Sequence, residues 1–282
     1  MDAALTIRPM RRDELELGID WAAAEGWNPG LHDAGSFFAA DAGGFLLGLV
    51  GAEPVGMVSV VRYGAGFGFL GFYIVRPAWR GQGHGLRLWQ AGMARLAGRV
   101  VGLDGVVAQQ PNYRQSGFAL AWNNVRWQGR AADGGPPPSA IAAPTAADRV
   151  ALLDYDAAMF PDDRRRFMAH WLAQPGSIVR LARQDGAVAG FGVIRPCRAG
   201  WKIGPLFADT PALADALYRA LVSAVPAGAE VQLDVPAPHA EAVALARRHG
   251  LAPVFETARM YAGPAPALPL QRLFGVTSFE LG

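Results

Sequence analysis

A single cysteine, Cys197, in 282 residues rules out any disulfide within the chain, and with it the small secreted scaffolds that depend on cross-links. Set between Pro196 and Arg198 with no flanking motif, it reads as an inert thiol. Lysine is as scarce, since Lys202 stands alone. No run of 18 apolar residues occurs, and the first 18 residues hold no basic segment followed by an apolar one, so neither a spanning helix nor a signal peptide is predicted. The expectation is a cytoplasmic protein with no membrane partner. A formal charge of +2, with arginines scattered along the chain, offers no track for nucleic acid. The densest cluster, Arg164 to Arg166, reads as a solvated helix face. What remains is 51% hydrophobic and 18% charged, with 35 Gly and 21 Pro, a folded globular composition at a length suited to two domains.

The chain repeats itself. Ile7 and Ile141, Gly56 and Gly190, and Pro77 and Pro211 are each separated by 134 residues in similar surroundings. Leu103-Asp104 resembles Leu233-Asp234 at a shift of 130, while Gly117 with Gly250 and Arg126 with Arg259 are shifted by 133. Two copies of one fold account for these offsets together. Gly129 to Pro138, rich in Gly and Pro, reads as an exposed linker, so the division is residues 1–129, a linker at 130–139, and residues 140–282.

Each copy reads as an α/β unit with a mixed sheet. In the first, strands are predicted at Leu5 to Pro9, Phe45 to Val50, Val55 to Arg62, Phe67 to Val75, Val101 to Val107 and Leu120 to Trp127, bounded by Gly or Pro. Helices fall at Asp13 to Trp21, Asp33 to Ala40 and around Tyr113, with a longer one whose stripe Leu86, Trp89, Met93 and Leu96 would face the sheet. Between the strand ending at Val75 and that helix lies Arg80-Gly81-Gln82-Gly83-His84-Gly85-Leu86. Glycines allow close backbone approach, and a helix start offers unpaired N–H groups and a positive dipole end, so the segment is suited to a pyrophosphate. A P-loop is excluded because no Gly-Lys-Ser/Thr occurs, and the spacing G-x-G-x-G is not that of a dinucleotide fingerprint.

Arg80 to Gly85 resembles the R/Q-x-x-G-x-G/A signature of the GCN5-related N-acetyltransferases (GNAT), and Tyr113-Arg114-Gln115-Ser116-Gly117-Phe118 resembles their Y-x-x-x-G-F motif downstream. In the second copy, Lys202 to Phe207 and Arg259-Met260-Tyr261 are similar to the C-terminal domain of two-domain, YitH-like bacterial acetyltransferases. The resemblance implies a tandem GNAT fold that uses acetyl-CoA and no metal. It implies that Arg80, Gly81, Gln82, Gly83, His84, Gly85 and Leu86 hold the pyrophosphate, that backbone groups of Ile74 and Val75 bond the pantetheine and the thioester, and that Tyr113 protonates the departing sulfur. The central-strand Glu that many relatives carry is absent, its positions being Gly71 and Phe72.

Acyl transfer to an amine also needs a proton acceptor. Asp104, at the end of an apolar strand, is the nearest alternative base, although Asp234 in the matching place of the second copy favours a structural turn. His84 could assist a phosphate or point to solvent. Trp27, Asn28 and Asp33, with Phe37, are expected to select a small amine acceptor. Phe160, Arg165, Phe167 and Trp171 would face the same cleft from the second copy. Arg80 to Gly85 correspond to Ala214 to Arg219, which has no glycine, so a single CoA site is expected. The alternative function is a non-catalytic acyl-CoA-binding regulator, and thioester hydrolysis or O-acyl transfer is a third.

Overall fold

The repeat is visible as two rounds of one element order in the computed structural model, which describes residues 4–132 and 140–282. The first round runs β1 (Leu5–Pro9), α1 (Leu15–Ala24), α2 (Asp33–Ala40), β2 (Phe45–Val50), β3 (Glu53–Tyr63), β4 (Phe67–Val75), α3 (His84–Arg95), β5 (Val100–Val106), α4 (Gln110–Gln115) and β6 (Phe118–Arg130). The second runs β7 (Ile141–Ala142), α5 (Arg149–Ala157), α6 (Arg165–Trp171), β8 (Ile178–Gln184), β9 (Ala187–Pro196), β10 (Trp201–Ala208), α7 (Pro211–Val222), β11 (Glu230–Pro236), α8 (Ala240–Arg248) and β12 (Ala252–Ala262), followed by a short β13 (Leu273–Gly275).

All these strands share one sheet in the order β1-β2-β3-β4-β5-β12-β6-β11-β10-β9-β8-β7, with β13 against β10. The last strand of each round has crossed into the other half. β12 lies antiparallel between β5 and β6, and β6 in turn pairs with β11. Asn124 stands opposite Thr257 at the centre of the β6–β12 ladder, and the two are also 133 residues apart, so an approximate two-fold axis passes through that pair. In space neither half is complete without a strand of the other. Gly129 and Arg130, expected in the linker, are the end of β6 and pair with Val231 and Glu230. Residues 133–139 of that linker lie outside the described residues.

The exchange explains the repeated Asp and Arg. Asp104 of the first copy binds Arg259 of the second through two hydrogen bonds of 2.8 and 2.5 Å, and Asp234 of the second binds Arg126 of the first at 2.7 and 2.8 Å. All four side chains are buried. The halves also share a core: Phe37 of α2 packs on Phe167 and Trp171 of α6, at ring-centroid distances of 6.4 and 6.0 Å, within a cluster that spans both copies. The cores under α3 and under α7 and α8 are separate.

Two side-chain expectations change. Of the expected stripe, Trp89 and Leu96 are buried and Met93 packs against the same core, but Leu86 is 60% exposed, and Leu88 and Gly92 face β3 in its place, Gly92 against Val58 and Val60. Arg164 does not face solvent: its guanidinium grips Asp156 at 2.7 and 2.8 Å and stacks over Phe160, while Arg165 and Arg166 are exposed.

Candidate active site

β4 and β5 run parallel but pair only from Phe67–Val100 to Leu70–Leu103. Beyond Leu70 they part. The cause is local, since Gly71 faces Ser59 and Ile74 faces Met57, leaving one extra residue on β4. At this bulge Phe72 has φ of 41°, a left-handed conformation that costs a bulky residue about 1–3 kcal/mol and tends to persist at functional sites. Its ring is buried against Trp27 and Phe37, which hold the bend. The β4 backbone from Gly71 to Val75 thus has no strand partner on its β5 side, which leaves peptide groups able to bond a ligand.

A cavity of about 470 Å³ occupies this opening. β4 lines one side from Leu70 to Val75, and Leu103 to Val106 of β5 line the other. Tyr113 of α4 and Arg80 lie on its first-copy walls, and Phe255, Thr257, Phe279 and Glu280 enter from the second half. Tyr113 lies over Gly105, where a Cβ would come within 2.1 Å of the ring, and it stacks on Trp89. Burial, reinforced by the neighbouring Tyr73, pushes the Tyr113 phenol up to about 12, so it keeps its proton at neutral pH and can donate it. Tyr73, also raised by burial, lines the cavity and was not foreseen; one more aromatic in a strand that already holds Phe67, Phe69 and Phe72 carries no signal of it.

The glycine loop follows at the end of β4. Gly81 and Gly83 have φ of 76° and 78°, and a Cβ at either would meet nothing within 4 Å, so glycine is demanded here by conformation and the space above stays open. Gly83 caps α3, and Arg87 N makes the bond to Gly83 O, leaving the N–H groups of His84, Gly85 and Leu86 without intrahelical partners. Arg80 Nε donates to Val75 O at 2.8 Å and pairs with Glu25, while Gln82 donates to Ala78 O at 3.1 Å. These side chains shape the loop and leave its backbone to the anion. His84 is half-buried beside Trp79 and its Nδ1 has no partner, so it does not point freely to solvent. Ile74 and Val75 line the cavity at the splayed edge. The chain's own groups thus fit a pyrophosphate at the loop and an extended arm along β4.

Other expected site residues are placed elsewhere. Asp104 lines the cavity, yet its side chain is fully buried and both oxygens are engaged, by Arg259 and by Asn124 at 2.8 Å. Burial pushes its carboxyl up and Arg259 and Asn124 pull it back; a group so locked cannot swing to an acceptor as the expected base would. Asp33, fully buried, binds Arg195 at 2.8 and 3.1 Å and Gly30 N at 2.8 Å. Asn28 bridges to Ala199 and to Gln232. Both are ties between the halves, not acceptor contacts. Trp27 does line the cavity, its carbonyl held by Arg126 at 2.7 Å and Lys202 at 3.3 Å. Phe160, Phe167 and Trp171 are core residues and Arg165 is on the surface, so none faces the cleft; the second half reaches it through β12 and the segment after β13.

The corresponding opening in the second copy is filled. β10 and β11 pair only from Trp201–Val231 to Ile203–Leu233, and β13 lies in the gap, with Leu206 and Phe207 opposite Gly275 and Leu273 and Val276 N donating to Asp234 O at 2.9 Å. α7 begins at Pro211, the counterpart of Pro77, and runs through Ala214 to Arg219 without a glycine loop. Among the described residues no group of three or more His, Cys, Asp or Glu is placed to hold a metal, and no helix is long and apolar enough to cross a membrane.

Residues 9–119 match the acetyltransferase (GNAT) family, and residues 152–275 match an acetyltransferase (GNAT) domain. A holothin acyltransferase of Pseudoalteromonas sp. (strain SANK 73390) is 32% identical over 277 residues, covering 98% of this chain and 94% of that protein. A candidate acetyltransferase from Pyrococcus horikoshii shares the fold at a TM-score of 0.82 and 20% identity, over 99% of this chain and 96% of that one. A tandem GNAT protein from the clavulanic acid biosynthesis pathway does so at 0.66 and 16%, over 93% and 100%. With both halves matched and the splayed strands, glycine loop and Tyr113 in their places, this chain belongs to the GNAT acyltransferase family.

Proposed function

We propose that the protein transfers an acetyl group from acetyl-CoA to the amine of a small-molecule acceptor, at one site per chain. The observation that carries this reading is the 470 Å³ cavity lying between the splayed β4 and β5, with the open glycine loop at one end and Tyr113 on its wall. Backbone N–H groups at the start of α3 take the pyrophosphate, and the free edge of β4 takes the arm and polarises the thioester carbonyl. As the amine nitrogen attacks that carbon, the C–S bond breaks and Tyr113 gives its proton to the sulfur. Phe255 and Phe279 make the acceptor end partly apolar, which suits an uncharged ring or chain bearing one amine. The name of the Pseudoalteromonas relative makes holothin the first acceptor to try. The cytoplasm is the compartment this reading assumes.

The test is release of free CoA from acetyl-CoA on adding holothin, aminosugars, amino acids and simple alkylamines, with calorimetric titration of CoA alongside. Acceptor-dependent release and one CoA per chain are expected. CoA binding without release for any amine would favour a regulator, and two CoA per chain would refute the single site.

A further inference from the structure

The reading above lacks a group to take the proton from the incoming amine. Three carboxylates line the cavity. Glu25 is paired with Arg80, and Asp104 is locked by Arg259 and Asn124. The third, Glu280, is 4% exposed, accepts no hydrogen bond from any described residue, and keeps both carboxylate oxygens open to solvent.

Glu280 is brought there by the same segment that fills the second copy. After β13 the chain is tied by Tyr63 Oη to Leu281 O at 3.0 Å, by Arg164 to Gly282 O at 2.9 Å and by Leu281 N to Ser278 Oγ at 3.1 Å. It crosses β4 so closely that a Cβ on Gly71 would stand 2.0 Å from the Glu280 carbonyl oxygen. Glycine at position 71 is what lets this segment approach the bulge. With Thr277 Oγ1 also held by Arg164 at 3.0 Å, the backbone is anchored on both sides of residue 280, which lines the opening between β4 and β5.

Three cations lie in the surroundings of Glu280. Arg126 on β6, Arg195 on β9 and Lys202 on β10 all sense its charge. Arg126 and Arg195 already have Asp234 and Asp33 as partners. Lys202 donates to the carbonyls of Asn28 and Trp27, and Asp234 and Glu280 are the acids near it. Of the other titratable groups nearby, burial keeps the Cys197 thiol and the Tyr73 and Tyr113 phenols neutral. A carboxylate with no hydrogen-bond partner at the wall of a reaction cavity has the properties of a proton acceptor.

We propose that Glu280 is the catalytic base, a deepening of the acyltransfer reading on which it rests. The ammonium of the acceptor gives one N–H proton to the Glu280 carboxylate, the freed lone pair forms the C–N bond, the C–S bond breaks as Tyr113 protonates the sulfur, and the second proton shed by the acylated nitrogen passes through solvent to restore the Tyr113 phenol. Glu280 then returns its proton to water.

Glu280→Gln and Glu280→Asp are compared with the parent protein across pH, using acetyl-CoA with propylamine, which is protonated at neutral pH, and with aniline, which is not. For propylamine, Glu280→Gln should lower kcat by roughly 100-fold or more, a typical worth for a positioned proton acceptor, and the lost rate should return as pH rises. For aniline the loss should stay below about tenfold, and affinity for CoA should be unchanged. Glu280→Asp, which keeps a carboxylate on the segment, should hold its melting temperature and show the same split in milder form. Equal losses for the two amines, or none, would overturn the role of Glu280 alone. A parent protein that transfers to no amine at all would overturn acyl transfer itself, and the base with it.

Discussion

Asp104 offers the sharpest separation between a structural and a chemical role. Replacing it by Asn leaves the Arg259 guanidinium, 5% exposed at the side chain, without its counter-charge in the centre of the sheet. Breaking a buried pair by removing one partner costs about 3–5 kcal/mol. At about 2–4 °C per kcal/mol for chains approaching this size, the melting temperature should fall by roughly 10 °C. Asp234→Asn, which strands Arg126 in the matching pair and does not line the cavity, should cost about as much. The double variant Asp104→Leu/Arg259→Met should regain most of the loss, because apolar replacement of a whole buried pair is often close to neutral. Thermal and denaturant unfolding would measure these differences, and kcat at 20 °C should stay within about threefold for Asp104→Asn. A variant with parental stability and a 100-fold lower kcat would refute the argument and restore Asp104 as the base.

Gly83→Val forces a branched residue into φ of 78° at the cap of α3, so CoA affinity should fall about tenfold or more, equivalent to about 1.4 kcal/mol in calorimetry. Tyr113→Phe should lower kcat by roughly 100-fold while CoA affinity is retained; an unchanged kcat would reduce Tyr113 to packing. The Glu14 carboxyl is held at about 2, chiefly by its hydrogen bonds with Arg8, against an ordinary value of 4.5. Its contribution is therefore present above about pH 4.5 and lost as pH falls towards 2, so Glu14→Gln should be less stable than the parent at pH 6 and equal to it near pH 2, as read by urea unfolding. Deleting residues 264–282 removes Leu273, Phe274, Val276, Phe279 and Leu281 from the core, a loss of roughly 7–15 kcal/mol at about 1.5–3 kcal/mol per side chain, and no cooperative unfolding transition should remain.

The strands and helices of the first copy were legible because each is short, patterned and bounded by Gly or Pro, and β4, the glycine loop and α3 are contiguous in the chain. Tyr113 was legible through its spacing to Gly117. The strand exchange was not. Alternation along β6 and β12 records which residues are buried but not whose sheet buries them, and each would look the same paired within its own copy. For the same reason Asp104 resembled a strand-end acid: its partner Arg259 lies 155 residues away. Asn28 and Asp33 fall in a turn-rich segment, and nothing local distinguishes a turn that binds a ligand from one that ties two halves together. The Glu absent from Gly71 and Phe72 is legible as a gap, but what stands against that gap is a segment more than 200 residues later.

In the second copy the missing glycine loop and the strand that fills the cleft have one physical origin. With no glycine loop before α7, nothing needs the opening between β10 and β11 to stay empty, and an open parallel edge in the middle of a sheet leaves peptide groups unpaired. β13 satisfies part of that edge and buries Leu273 and Phe274, and it fixes the direction in which the following residues leave. That direction is across the two-fold axis, toward the opening that did stay empty. Phe279 and Glu280 arrive in the first copy's cavity because the second copy's own cavity is closed by the residues just before them. β12 acts in parallel, covering the β5 edge and placing Phe255 and Thr257 beside them. One site built from both halves follows from plugging one of two equivalent clefts with a segment long enough to reach the other.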